Sequence, residues 1–182
     1  MADIKTKMYH FAGLVYGDFD GELIRESAKH GKVAVDVQCM LRHVEPDKTM
    51  AFHDWANKKE ILPLIDYLKT DAAEAEILTG TNDRVKAAHM LHEWGAKEVM
   101  ISHNTELLVY DGEKIYTCPI KARNLSGRGD TAFAGYINER QHASVEEALL
   151  WATALVSLKM ETPGPFRGCR EDVVAYINEF YK

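Results

Sequence analysis

Short apolar runs alternate with amphipathic stretches along this chain, and this alternation limits the available folds more than any other feature. Residues 9–15 and 33–37 are apolar runs of strand length. Between them, residues 18–31 have a helical pattern that opens on acidic residues and ends at Gly31. A strand, a helix of about ten residues and a second strand form a βαβ unit. The pattern predicts an α/β fold with a largely parallel sheet flanked by helices.

Later segments continue the pattern. Asp111-Gly112 separates two strand-like runs and predicts a β-hairpin over residues 107–119. Ser144 and Glu147 form a capping-box pattern at the start of a long apolar helix. The other predicted strands are 50–52, 64–68 and 98–102, and the other predicted helices are 56–62 (broken at Pro63), 83–94 and 172–181.

Composition narrows the class of protein. The 182 residues suit a single domain, residues 1–182, and 46% hydrophobic with 27% charged residues is typical of a soluble globular chain. A net charge of -6 gives no basic surface for nucleic acid, and no apolar run reaches the length of a membrane span. Three widely spaced cysteines form neither a disulfide framework nor a metal-binding pattern, which favours a reducing, cytoplasmic location.

The stretch 122–136 has the chemistry of a phosphate site. It leaves a strand-rich region, crosses Gly127 and Gly129 with one residue between them, and enters a helix. Glycine has no Cβ, so an anion can approach the backbone closely. The first N–H groups of the helix have no intrahelical partner and carry partial positive charge, which favours phosphate. Asp130, beside such a phosphate, has the chemistry of a general base for an attacking hydroxyl.

Two other interpretations of this stretch stay open. Gly-x-Gly-Asp is also an ordinary turn followed by an N-capping Asp. Arg128-Gly129-Asp130 is also a cell-adhesion tripeptide. Adhesion requires an extracellular protein, and the polar N-terminus lacks the pattern of a signal peptide.

Three smaller patterns have both a structural and a functional interpretation. Asp71 and Glu74 have the spacing of an N-cap and its N3 partner, and carboxylates also suit a hard cation. Residues 18–22 resemble the start of a calcium loop but lack its further ligands, so a capped helix start is favoured. His89 and His92 lie one turn apart without a third ligand at a useful spacing, which favours surface histidines over a zinc site.

The stretch 122–136 resembles the C-terminal signature of the PfkB, or ribokinase-like, carbohydrate kinases, usually Asp-Thr-x-Gly-Ala-Gly-Asp followed by a helix. The resemblance implies an anion hole at Gly127, Arg128 and Gly129, with Asp130 as the catalytic base. It implies the transfer of the γ-phosphate of ATP to an alcohol group of a sugar, polyol or nucleoside.

Two other segments resemble the same family. Residues 69–80 are similar to its Asn-x-x-Glu segment, after which a helix ends in Leu-Thr-Gly. The resemblance implies that Glu74, with Asp71 in place of the Asn, positions Mg²⁺ on the donor phosphates. It also implies nucleotide contacts at Ser102 and Asn104, and at Gly164 in a stretch similar to the family's closing loop.

The chain also departs from the family pattern in its nucleotide segment and in its signature. The nucleotide segment of the family, Thr-x-Gly-x-x-Gly, keeps its hydroxyl as Ser102 but has Asn104 and Leu107 at the glycine positions. Side chains therefore stand where the family brings bare backbone to the phosphates. Asn124 replaces an Asp linked to a monovalent cation site, which weakens the case for potassium activation. Arg128 replaces Ala, and it either binds a phosphate oxygen or points to solvent.

The resemblance covers almost the whole chain but only the later part of the family's usual length. The preceding segment, with its Gly-Gly motif, further strands and small β lid, supplies most sugar contacts. We therefore expect Met1 to begin a truncated form of a longer sequence, with an exposed strand edge that a second copy could cover. The leading hypothesis is a kinase for a small alcohol. The alternative is a non-catalytic module that keeps the fold to bind a nucleotide or to assemble with a partner.

Overall fold

The computed structural model describes residues 4–121 and 129–182. Two compact units account for these residues. The first runs to Ile101 and includes Tyr110–Lys114, and the second consists of Ser102–Val109 and the residues from Ile115 onward. The first unit holds four strands of one sheet, in the order Met8–Phe11, Lys32–Asp36, Tyr67–Asp71 and Glu98–Ser102. The second unit holds the strands Glu106–Tyr110 and Ile115–Pro119.

The first unit alternates strands and helices as the sequence predicts. Its strands are β1 (Met8–Phe11), β2 (Lys32–Asp36), β3 (Arg42–Val44), β4 (Met50–Phe52), β5 (Tyr67–Asp71) and β6 (Glu98–Ser102). Its helices are α1 (Gly21–Ala28), α2 (Gln38–Leu41), α3 (Lys58–Ile61), α4 (Ala72–Thr79) and α5 (Arg84–Glu93), with a short 3-10 helix at Leu62–Leu64.

Parallel pairing fixes the direction of the first unit's sheet. β1 pairs with β2 in parallel, and β2 pairs with β5 in parallel, with Asp36 opposite Lys69. The carboxyl ends of these three strands therefore lie at one edge. β3 and β4 form a separate antiparallel hairpin that places Arg42 opposite Phe52. The prediction of a mostly parallel sheet flanked by helices is confirmed.

Local capping explains where α1 and α5 begin. The side chain of Asp20 accepts the N–H of Leu23, and that of Asp83 accepts the N–H groups of Val85 and Lys86. Residues 18–22 are therefore a capped helix start, as expected. Gly95 has a φ of +123° directly after the cap of α5, which favours glycine.

Gly31 does not end α1 in the way the sequence predicts. The helix stops at Ala28 with a right-handed cap at Lys29, and Gly31 takes no positive φ. Its glycine is needed for space instead, because a Cβ there would lie 2.5 Å from the carbonyl oxygen of Thr6.

The second unit packs helices against the hairpin strands. It contains β7 (Glu106–Tyr110), β8 (Ile115–Pro119), α6 (Gly129–Glu139), α7 (Val145–Lys159) and α8 (Arg170–Phe180). The predicted hairpin over 107–119 and the capping box of Ser144 with Glu147 are both present. A buried cluster of Ala154, Val173 and Tyr176 joins α7 to α8.

Hydrogen bonds fix the end of β8 against α7 and α8. The hydroxyl of Tyr181 donates to the carbonyl of Pro119 at 2.8 Å and lies 3.0 Å from that of Ser157. The N–H of Lys121 donates to the Ser157 hydroxyl at 3.0 Å. The chain is therefore anchored up to the residue that precedes the glycine-containing stretch.

The three cysteines are all free thiols. Cys39 and Cys118 are buried, whereas Cys169 is exposed at the start of α8. Burial raises the pKa of the Cys39 thiol to about 11. Within residues 4–121 and 129–182, no helix has the length and apolar character needed to cross a membrane.

Candidate functional site

Asp71 and Glu74 are held by the start of α4. The side chain of Asp71 accepts the N–H of Glu74 at 2.8 Å, and the side chain of Glu74 accepts the N–H of Asp71 at 2.8 Å. This capping box was one of the two interpretations of the spacing. The capping box uses one oxygen of each carboxylate. The second oxygen of each is a hard ligand of the kind that suits Mg²⁺.

A buried ion pair lies directly behind these carboxylates. The ammonium of Lys69 is 2.8 Å from Oδ2 of Asp36, and both side chains are almost fully buried. Residues 69 and 71 alternate to the same face of β5, and Asp36 is the register partner of Lys69 on β2. The carboxyl edge of the two strands thus gathers three carboxyl groups, those of Asp36, Asp71 and Glu74, around one ammonium.

Burial and neighbouring charge act in opposite directions on this group of residues. Burial raises the pKa of Glu74 to about 7, although the positive charge of Lys69 works against this rise. Burial disfavours the charge of Lys69, but the Asp36 and Glu74 carboxylates outweigh it and keep the pKa of Lys69 above its ordinary value. Lys69 therefore stays protonated, and Glu74 changes charge close to neutral pH.

No complete metal cluster is formed by the described residues. Among residues 4–121 and 129–182, no three His, Cys, Asp or Glu side chains converge well enough to hold a metal ion. Nδ1 of His92 lies 2.8 Å from the carbonyl oxygen of Ala96, and its ring packs on Tyr110. The interpretation of His89 and His92 as ordinary histidines stays a prediction.

The segment implied to contact the nucleotide forms a tight turn. Ser102 is the last residue of β6 and is buried, and Asn104 is exposed within the turn. The N–H of His103 donates to the carbonyl of Glu106 at 3.0 Å, which closes the turn. Leu107 is fully buried in β7.

This turn has no need of glycine. Lys48 is the single non-glycine residue with positive φ in the described ranges, so Asn104 has a backbone conformation open to any residue. The two family glycines are thus replaced by a turn residue and a core residue.

The described part of the phosphate-site stretch begins at Gly129. Gly129 is the first residue of α6, and Asp130 lies in the first turn with an exposed side chain. Asp130 is therefore placed where the helix dipole favours an anion. Gly127, Arg128 and Asn124 lie outside the described residues. The anion hole and the base stay predictions.

Gly164 lies in the loop between α7 and α8. It is exposed and has a φ of +91°. Its role as a nucleotide contact stays a prediction.

Sequence reasoning missed the Lys69–Asp36 pair. The two residues are 33 positions apart, and only the parallel register of β2 and β5 brings them together. A polar residue near the end of each of two adjacent buried strands is the signal that could have indicated this pair.

Three comparisons identify proteins similar to this chain. The model of the pfkB family carbohydrate kinases matches residues 5–171. A cytidine kinase of Thermococcus kodakarensis is 39% identical over 83 residues, which is 42% of this chain and 30% of that protein.

Solved structures of the same fold are also similar. One is a pyrophosphate-dependent kinase of the ribokinase family, complexed with a pyrophosphate analog and myo-inositol. It is 33% identical to this chain with a TM-score of 0.88, and the match covers 96% of this chain and 64% of that chain. Arabidopsis thaliana ribokinase complexed with ribose and ATP has a TM-score of 0.73 at 22% identity, over 94% of this chain and 55% of that chain, and shows the fold alone. The chain spans less than two thirds of the length of each of these proteins.

Proposed function

Because the chain belongs to the pfkB family of carbohydrate kinases, we propose that it transfers a phosphoryl group to an alcohol oxygen of a sugar, polyol or nucleoside. The single observation that carries the proposal is the family match over residues 5–171, which includes every candidate site residue. Similarity to kinases that act on cytidine and on inositol supports a small hydroxylated acceptor.

Asp130 is the proposed base of this reaction. Its carboxylate takes the proton of the acceptor hydroxyl as that oxygen forms a bond to the transferred phosphorus and the donor oxygen leaves. The amides of Gly127 and Gly129 hold the negative charge that develops on the phosphoryl oxygens. Arg128 is the proposed third member of this anion hole.

Asp71 and Glu74 are the proposed Mg²⁺-positioning residues. A divalent cation would neutralise phosphate charge when bound there. The chain's own contribution is to fix both carboxylates through the capping box and to bring the ammonium of Lys69 behind them.

ATP is the donor implied by the family, and Ser102, Asn104 and Gly164 are its proposed contacts. Pyrophosphate is a second candidate donor, favoured by the exposed side chain of Asn104 at a position where the family has glycine. A side chain there takes space beside the proposed nucleotide contact, while a smaller donor needs no contact at this turn. Similarity to a pyrophosphate-dependent kinase supports the same candidate.

A turnover assay tests the proposed reaction. ATP and pyrophosphate are each combined with Mg²⁺ and with myo-inositol, ribose or cytidine, and phosphorylated product is measured by mass spectrometry. We expect product with one donor, and we expect Asp130→Asn to lower turnover by about 10²–10⁴-fold, the usual effect of removing a general base.

Glu146→Gln is the matched control, because Glu146 is also an exposed acid in the first turn of a helix of the second unit. It is expected to leave turnover unchanged. Equal effects of the two substitutions would contradict the role of Asp130. Stabilisation of the chain by ATP without turnover would favour the non-catalytic module instead.

A further inference from the structure

The loop that follows β1 is fixed by one side chain. Oδ2 of Asp18 accepts the N–H of Leu14 at 2.6 Å and that of Val15 at 3.0 Å. The N–H of Tyr16 donates to the carbonyl of Arg42 at 2.7 Å, which ties the loop to β3. Hydrogen bonds of Leu14, Val15 and Tyr16 therefore fix the backbone at Tyr16, although the residue is 58% exposed.

Tyr16 begins a row of three rings. Its ring is stacked on that of His43, with centroids 4.2 Å apart and planes inclined by 17°. The ring of His53 meets His43 edge to face at 4.7 Å. Nε2 of His53 lies 2.7 Å from Oε1 of Glu45. We call Tyr16, His43, His53 and Glu45 the ring platform.

The ring platform lies beyond the carboxyl ends of two parallel strands. Tyr16 is in the loop after β1, and the β3–β4 hairpin that carries the other members follows β2 and α2. The same edge of the sheet holds Asp71 at the end of β5. Ligands of parallel α/β sheets bind outside the carboxyl ends of the strands. The platform is thus on the edge where substrates are expected.

The platform combines a flat apolar face with hydrogen-bonding groups. Half of the Tyr16 side chain is open to solvent even though one ring face lies on His43. The side chain of His53 is 54% exposed and that of Glu45 is 35% exposed. The imidazole and the carboxylate offer a donor and acceptors to neighbouring hydroxyl groups.

We propose that the ring platform binds the acceptor, with the C–H face of a cyclic polyol or sugar on Tyr16 and vicinal hydroxyls on His53 and Glu45. This inference rests on the proposed function, since it names the residues that select its acceptor. A neutral ring with hydroxyls around its rim matches both the flat face and the polar end of the platform. Tyr16 is therefore a specificity residue that touches substrate, and Asp18 is a positioning residue that acts through Tyr16.

Steady-state kinetics and direct binding together test the platform. We expect Tyr16→Ala to raise the KM for myo-inositol by about tenfold, with kcat and the donor KM within about twofold of wild type. Tyr16→Phe keeps the ring and is expected to restore the KM. Leu14→Ala is the matched control, because Leu14 is in the same loop and is 62% exposed but is not part of the platform.

Binding of myo-inositol, ribose and cytidine, measured by saturation-transfer NMR, separates this inference from the proposed function. If a polyol binds to wild type and does not bind to Tyr16→Ala, the proposed role of the ring platform is supported even when no phosphoryl transfer is detected. Equal acceptor KM in Tyr16→Ala and Leu14→Ala overturns it. So does a loss confined to cytidine, which would mean that the rings stack on a base. If wild type binds no polyol, the inference that the ring platform binds the acceptor is overturned, whether or not turnover is detected.

Discussion

At the scale of single residues, the Lys69–Asp36 pair shows how much a buried charge depends on its partner. Removing one member of a buried pair leaves the other charge uncompensated, which costs about 3–5 kcal/mol. We expect Lys69→Met to lower the free energy of unfolding by about this amount. Chemical denaturation followed by circular dichroism measures the loss.

The double variant Asp36→Asn/Lys69→Met provides the control for this prediction. It removes both charges of the pair, so the Asp36 carboxylate is not left buried without its partner, and most of the lost stability is expected to return. A double variant as unstable as Lys69→Met alone would show that packing of the Lys69 chain, rather than its charge, supports the fold.

Glu74 gives a prediction about pH. Its carboxyl has an ordinary pKa of 4.5, and burial raises that pKa to about 7. Between these values the folded chain keeps a proton that the unfolded chain has lost, so this group makes the free energy of unfolding fall as pH rises. Glu74→Gln cannot ionise and keeps an oxygen for the N–H of Asp71. The melting temperature of Glu74→Gln, relative to that of wild type, should therefore rise as the pH is raised from about 5 to about 8.

Thermal melts across that pH range check the Glu74 prediction. Glu76→Gln, an exposed acid on the same helix, is the matched control and should follow wild type. A difference between Glu74→Gln and wild type that does not change with pH would be inconsistent with a proton held by Glu74.

The spacing of residues in the sequence predicted part of the candidate site at this scale. The capping box of Asp71 and Glu74 could be predicted because it is local, with the partner three residues after the cap. The burial of Glu74 and the ammonium behind it could not, since both depend on β2 and β5 lying side by side. The ring platform was missed for the same reason, because Tyr16 and His43 are distant in sequence.

At the scale of elements, the sequence predicted most helices and strands, but some boundaries moved. Residues 98–102 and 50–52 are strands as predicted. The strand expected at 64–68 is β5, Tyr67–Asp71, because Pro63 takes the second position of a 3-10 helix and delays the extended chain. β3 was not predicted, since its three residues are too few to show a period.

Arg170 fixes the start of α8 to the end of α6. Its two terminal nitrogens lie 2.7 Å and 2.8 Å from the two carboxylate oxygens of Glu139, and its guanidinium is 4.0 Å from the ring centre of Trp151. The Arg170 bonds lower the pKa of Glu139 below its ordinary value despite the opposing effect of burial. The geometry is bidentate, which a lysine cannot reproduce.

We therefore expect Arg170→Lys to destabilise the chain nearly as much as Arg170→Ala. The expected loss is about 1–2 kcal/mol, at the low end for bonds to charged groups because the Arg170 side chain is half exposed. Denaturant unfolding measures it. Full recovery in Arg170→Lys would mean that charge alone, without the paired geometry, holds α8.

At the scale of the whole molecule, β1 is a terminal strand of the larger sheet within the described residues, and it pairs with β2 in parallel. An uncovered edge can pair with another strand. We expect the chain to form dimers as its concentration rises.

Light scattering after size-exclusion chromatography, over a wide range of concentrations, checks this expectation. A wild-type chain that is monomeric at every concentration would show that this edge is not used.

The distribution of the three thiols makes the molecule convenient to follow by spectroscopy. Cys39 and Cys118 are buried in the folded chain and Cys169 is exposed, so a maleimide dye should attach at Cys169 alone. That thiol lies at the first turn of α8, two helices away from Asp130 along the chain. A single fluorophore placed there without mutagenesis would report whether acceptor or donor binding is felt at the C-terminal helix.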